Sequence, residues 1–172
     1  DSVRRALEIL KEVTVLFGKA QIDAGADALC LGDHATRDLC SPDAYPGFLK
    51  DIHAELAERI PCPLILHICG DTSDRIPYIA ETGVECFHFD SKTGIARARE
   101  LAGEQLSLMG GTDNIAVVRN GTRDDVAADV AEKAAAGIDI IGPECAVPLD
   151  APYRNMQVMA SHVKAMRGNG TA

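Results

Sequence analysis

Residues 64–71 read "LILHICGD". An apolar run of strand length ends in a histidine and a cysteine two apart, and a glycine follows at once. Side chains at i and i+2 of a strand share a face. Ile65, His67 and Cys69 therefore point one way, and Leu64, Leu66 and Ile68 the other. An all-aliphatic face belongs against helices, which leaves His67 and Cys69 on the opposite side of the sheet. Gly70 lets the chain turn away directly after them.

Four further apolar, β-rich runs surround this one: "ADALCLG" (26–32), "VECFHFD" (84–90), "LSLMGG" (106–111) and "IDIIGPE" (138–144). Helical patterns separate them. Residues 2–24 carry Val3, Leu7, Leu10, Val13, Leu16 and Phe17 at near-helical spacing. Ser41 and Pro42 suit the start of a helix over 42–59. Shorter helices are expected over 72–82 and 93–102. "TRDD" at 122–125 reads as a capping box opening a helix over 122–136, and 153–167 makes the last helix. "AGAD" (24–27), "ETGVE" (81–85) and "AAGID" (135–139) each put a glycine where a helix end needs one. The alternation is α(βα)₅, which implies a parallel sheet covered by helices in one α/β domain. Two architectures suit it: a doubly wound open sheet or part of a (β/α)₈ barrel. Both place function at the carboxyl ends of the strands. Asp33, His67, Cys69, Asp90, Asp113, Glu144 and Cys145 all fall there.

Composition excludes several classes. The chain has 172 residues, 47% of them hydrophobic, and a formal net charge of −9 with no block of Lys and Arg. That balance argues against a nucleic-acid surface. No apolar run approaches the ~20 residues of a membrane helix. No G-x-G-x-x-G follows the first strand, and no P-loop is present. The six cysteines are dispersed through an α/β pattern, which fits thiols in a reducing, cytoplasmic setting better than a disulfide framework.

Two ligands hold zinc poorly; three or four hold it well. Cys145, in "GPECAVP" after the fifth strand, is a third soft ligand at a strand end. One His and two Cys leave a fourth tetrahedral position open, the pattern of a catalytic site. The alternative is that all three fill space, since free Cys is often simply buried. Cys30, Cys62 and Cys86 read as core, and Cys40 lies in a polar loop. Asp33 and Asp90 are the candidate catalytic carboxylates. For Asp33, with His34, substrate contact competes with helix capping. Asp90 shares a face with His88. Asp113 orients a ligand or caps a turn. His53 and His162 lie on helices and are expected at the surface.

"LILHICGD", "MGGTDN", "GPECAVPLDAPYRNMQVMASHV" and, upstream, "AGADALCLGDHATRDLCSPDAY" resemble the uroporphyrinogen decarboxylase superfamily. More closely they resemble its zinc-dependent branch of the methylcobamide:coenzyme M methyltransferase type. The resemblance runs over nearly the whole chain. It implies a TIM-type (β/α)₈ barrel and Zn²⁺ bound by His67, Cys69 and Cys145. It also implies transfer of a methyl group from a methyl-corrinoid, carried on a partner corrinoid protein, to a small thiol such as coenzyme M or to tetrahydrofolate. The chain has no D-x-H-x-x-G corrinoid motif of its own. Members of that family are about twice this long, so the five strands correspond to the last five of the barrel. With Asp1 rather than Met at its start, the chain is expected to be a partial barrel lacking the first three strands. It is then an oligomer, or needs a second chain. Two rivals remain: a metal-independent decarboxylase-like enzyme centred on Asp33 or Asp90, and a non-catalytic truncated subunit.

Overall fold

A computed structural model of the protein describes residues 2–168. Five strands, β1 (Leu29–Asp33), β2 (Leu64–Ile68), β3 (Cys86–Phe89), β4 (Ser107–Thr112) and β5 (Ile140–Pro143), form one sheet. They lie in the order β1-β2-β3-β4-β5, and every neighbouring pair is parallel. Six helices alternate with them: α1 (Ser2–Asp23), α2 (Lys50–Arg59), α3 (Ile76–Ile79), α4 (Ile95–Ala102), α5 (Arg123–Ala135) and α6 (Tyr153–Gly168).

Strand order decides between the two expected architectures. A doubly wound sheet reverses direction at a switch point and puts helices on both faces. Here every step goes to the next strand in sequence. Parallel crossovers share one hand, so all the helices cover one face and the other is left for a barrel interior. The fold is the later part of a TIM-type barrel.

Burial follows the alternation read from the sequence. Leu64, Leu66, Ile68, Phe87, Phe89 and Leu108 face the helices and are sealed from solvent. On β1 the pattern is staggered: Leu29, Leu31 and Asp33 are half-buried, while Cys30 and Gly32 are exposed on the inner face. Cys30 was expected in the core. It instead lines the inside of the barrel wall, because its register partner Ile65 is the residue before Leu66 and so faces inward. Cys86 is buried as expected.

The helix starts differ from expectation where side chains compete for the backbone. The segment expected to begin at Pro42 opens with turns and a π-helical stretch, Tyr45–Leu49, before α2. The helix expected over 72–82 shrinks to Ile76–Ile79, because Asp71 accepts from the Ser73 amide (2.9 Å) and the Thr72 hydroxyl pairs with that of Thr93 (3.0 Å). The capping box of α5 is present: the Thr122 hydroxyl accepts from the Asp125 amide, and the Asp125 carboxylate accepts from the Thr122 amide.

Both edges of the sheet carry apolar surface with nothing on it among the described residues. On α1, Val3, Leu10, Val13, Leu16 and Phe17 are 57–70% exposed. Their spacing makes a stripe on the side of α1 turned away from α2, to which Lys11, Glu12 and their partners Glu55 and Arg59 fasten it. On the far edge a groove of about 440 Å³ lies between β5 and α6, lined by Ile141, Met156, Met159 and Val163.

Candidate metal centre

His67, Cys69 and Cys145 meet at the carboxyl ends of β2 and β5. His67 Nε2 lies 3.1 Å from Cys69 Sγ, and Cys69 Sγ lies 3.4 Å from Cys145 Sγ. The three donor atoms fall within 4.8 Å of one another, and among the described residues they are the group of His, Cys and acidic side chains that could hold a metal ion. A tetrahedral zinc with Zn–S bonds near 2.3 Å separates two sulfurs by roughly 3.8 Å. The thiols therefore need to open only a few tenths of an ångström to receive one. The donor set, one imidazole and two sulfurs, is of the kind zinc takes.

The surroundings fix each donor. His67 Nδ1 donates to the His88 carbonyl (3.1 Å). A carbonyl can only accept, so the proton sits on Nδ1 and the Nε2 lone pair faces the two sulfurs, as an orienting partner in the outer shell of a metal site requires. The His88 ring lies against the His67 ring, 4.4 Å between centroids, and its Nε2 donates to the Pro143 carbonyl (2.8 Å). Burial holds the His88 pKa below its ordinary value, against the opposing pull of that carbonyl, so His88 is a neutral spacer between β2 and β5. Gly110, at φ +96°, makes room for it: a Cβ there would fall 2.5 Å from His88 Cδ2. The first glycine of the β4 "GG" is thus needed by the imidazole next door, and the second, Gly111, by the Phe89 ring, whose Cζ would lie 2.6 Å from a Cβ there.

Cys145 is positioned through Glu144. That carboxylate accepts from the amides of Ser91 (2.9 Å) and Asn114 (3.1 Å), while the Glu144 amide donates to the Thr112 carbonyl (2.9 Å). One side chain ties the ends of β3, β4 and β5 together just before Cys145. Sequence reading marked Glu144 as a strand-end polar residue but gave it no such part; its place next to Cys145 was the available signal. Burial, then the Cys145 thiol, then the carboxylates of Asp90 and Glu144 push the Cys69 thiol up to about 11. Without a cation the Cys69 thiol stays protonated at neutral pH; a divalent metal would reverse that balance.

The two candidate carboxylates are both engaged. Asp90 accepts from the Gly70 amide (2.8 Å) and from the Lys92 amide (3.0 Å), so it holds the turn that follows Cys69. Asp33 falls on the helix side of β1. Its carboxylate meets His53 Nε2 at 3.0 Å and accepts from the Ala35 amide at 2.7 Å. His53 Nδ1 in turn meets the Tyr45 hydroxyl at 2.9 Å. Burial would raise the Asp33 pKa, but His53 and the Ala35 amide outweigh it and hold the carboxyl below its usual range. His53, expected at the surface, is only 3% exposed; it is drawn inward because β1 ends in an acid on the helix side. Asp113 accepts from the amides of Ile115 and Ala116 and caps the π-helical turn Asn114–Arg119. His162 lies exposed on α6, as expected.

His67, Cys69 and Cys145 open into a cleft of about 320 Å³ on the inner face, whose wall also includes Cys30, Asp33, His34 and His88. The larger groove beside α6 is lined by aliphatic and methionine side chains with Lys164 as its charged group and holds no His, Cys or carboxylate, so the candidate site is the smaller space. No helix among the described residues is long and apolar enough to cross a membrane.

The sequence pattern of the family described as uroporphyrinogen decarboxylase (URO-D) matches residues 1–166. The chain belongs to that family. It is 36% identical over 152 residues to the methylated-thiol–coenzyme M methyltransferase of Methanosarcina mazei, covering 88% of this chain and 41% of that protein. It is 26% identical over 163 residues to the methylcobamide:CoM methyltransferase MtaA of Methanosarcina barkeri, covering 94% and 48%. A solved methyltransferase from Methanosarcina mazei superposes with a TM-score of 0.92 at 26% identity, over 95% of this chain and 49% of that one. The chain thus spans about half the length of the relatives it matches.

Proposed function

We propose that this member of the uroporphyrinogen decarboxylase family is the metal-binding part of a methyltransferase that moves a methyl group from a methylated corrinoid to a small thiol. The observation that carries the reading is the convergence of His67 Nε2, Cys69 Sγ and Cys145 Sγ from two strand ends. Names of the relatives, which act on coenzyme M and in one case on methylcobamide, supply the reaction class.

His67, Cys69 and Cys145 would hold a zinc ion. A free thiol near pKa 8.5 is only a few per cent thiolate at neutral pH, and coordination to zinc would supply the missing ionisation. The chain's own residues do the rest. His88, through its carbonyl, fixes the tautomer of His67. Asp90 holds the Gly70 turn, and Glu144 holds the strand that presents Cys145. Two sulfur ligands and one imidazole suit a soft nucleophile better than hydroxide. The corrinoid is taken to arrive on a partner protein, and the thiol acceptor is preferred to tetrahydrofolate because the donor set is soft.

The five strands are read as part of a barrel that another segment or chain completes. The exposed stripe of α1 and the groove between β5 and α6 lie at the two edges where added βα units would pack, and unpaired strand edges invite pairing. Light scattering on the 172-residue chain should show self-association rather than a single monomeric species.

The activity test incubates the zinc-loaded full-length protein with methylcobalamin and either coenzyme M or tetrahydrofolate, following loss of the methyl–cobalt absorption. Demethylation with coenzyme M supports the reading. A zinc-replete protein that demethylates with neither acceptor sinks it and favours a decarboxylase-like or non-catalytic role.

A further inference from the structure

Asp33 turns its carboxylate outward to the helices, so its neighbour His34 is turned inward. The register confirms the direction: Gly32 pairs with His67 and Asp33 with Ile68, so the next step along both strands sets His34 beside Cys69. His34 is exposed and forms part of the wall of the same cleft as His67, Cys69 and Cys145. The chain has five histidines. Both ring nitrogens of His53 and of His67 have partners, His88 uses Nε2, and His162 uses Nδ1. Among the described residues the His34 ring makes no hydrogen bond.

An exposed side chain with no partner is ordinary; the backbone that carries this one is not. On one side of it, Asp33 is anchored through His53 to Tyr45, the latter two buried. On the other side, the carbonyl of Ala35 accepts from the guanidinium of Arg75, which is fully buried and also bonded to Asp74 and to the Cys40 carbonyl. The His34 carbonyl itself accepts from the Thr36 amide at 2.7 Å. Two buried polar networks therefore brace the residues that flank one free imidazole at the mouth of the cleft. Groups that bind substrate need such support from residues behind them.

Of the other polar groups in that wall, His67, Cys69 and Cys145 are taken up as metal donors, and Asp33 and His88 are bonded as described. Arg37, three residues on, is paired with Asp71 at 2.9 Å. Among the described residues the N–H of His34 is the free nitrogen donor left in the wall; the other unpartnered group there, the exposed Cys30 thiol, is only a weak donor. We infer that His34 holds the polar tail of the thiol acceptor, donating a hydrogen bond to its anionic end while the sulfur lies at the metal centre. This rests on the thiol-acceptor reading above and adds to it the residue that grips the end of the acceptor remote from sulfur.

The test uses full-length protein loaded with Co²⁺ in place of zinc. Thiol binding is read from the sulfur-to-cobalt charge-transfer absorption, with coenzyme M as the tailed thiol and ethanethiol as the tailless one. His34→Ala should weaken coenzyme M about tenfold, as loss of one hydrogen bond to a charged group predicts, and leave ethanethiol within about twofold. His34→Gln, which keeps an N–H donor, should recover most of the loss. Equal weakening of both thiols, or no weakening of either, overturns the inference while leaving the thiol reading in place. Wild-type protein whose cobalt spectrum responds to neither thiol overturns both.

Discussion

On the outer face of β2 and β3, Leu64, Leu66, Ile68, Phe87 and Phe89 are sealed against the helices. On the inner face of the same two strands, His67, Cys69 and His88 stay partly open. Adjacent residues of one strand thus serve different ends. The outer face gains stability from apolar burial, at ~25 cal/mol per Å². The inner face gives up that gain and holds its polar groups by hydrogen bonds to backbone, a carbonyl for His67 and another for His88. A substitution should therefore disturb either stability or metal binding according to which way its side chain points, even when the positions are next to each other.

The largest expected effect falls on the inner face. Cys145→Ala removes one of the three proposed metal donors and should abolish stoichiometric zinc binding, read by elemental analysis. Its melting temperature without metal should change little, because the residue is half-buried beside a cleft. Cys40→Ala, outside the site, should bind zinc as the parent does. Equal zinc in the parent and Cys145→Ala would remove Cys145 from the ligand set.

Phe87→Ala tests the opposite face. Phe87 is fully buried in the main core, and truncation of that size costs about 3–5 kcal/mol, measured by denaturant unfolding. Whatever fraction remains folded should retain its metal. Gly110→Ala comes next and joins the two faces. The new Cβ would need a left-handed backbone and would strike the His88 ring. The strain should cost about 1–3 kcal/mol, and unlike Phe87→Ala it should weaken zinc affinity as well, since His88 orients His67. Unchanged affinity would show that the His88 ring can move without disturbing the ligand.

The inner and outer faces of β2 were legible from "LILHIC" alone, because strand alternation is a fixed geometric rule. The parallel α/β class followed from the order of elements, and His67, Cys69 and Cys145 stood out by chemistry and strand-end position. What stayed illegible was whatever depends on distant partners. His53 looked like a surface helix residue because nothing nearby in sequence says that Asp33 waits for it across the β1–α2 connection. Cys30 looked like core because an apolar run does not say which of its faces meets helices. The choice between open sheet and barrel needed the strand order, which local pattern does not encode. The brace formed by Arg75 at Ala35 spans 40 residues and left no local trace.

The smallest of these effects concerns the one acid that β1 sends outward. Asp33 carries a depressed pKa because His53 and the Ala35 amide favour its charged form more than burial opposes it. A carboxyl whose folded pKa lies below its unfolded value, near 3.9, adds stability at all pH values above that unfolded value. The contribution shrinks as pH falls from there towards the folded pKa, since the unfolded chain then takes up the proton first. Asp33→Asn cannot titrate, so its unfolding free energy should lose this part of the acid dependence. At neutral pH it should be less stable by about 1–3 kcal/mol, the cost of leaving the buried His53 without a charged partner. The measurement is a set of urea melts from pH 3 to 7 on both proteins. The curves should be furthest apart at neutral pH and draw together below pH 4. A constant gap across the whole range would mean that Asp33 acts through packing alone, and that the outward-facing acid contributes no more than the apolar residues around it.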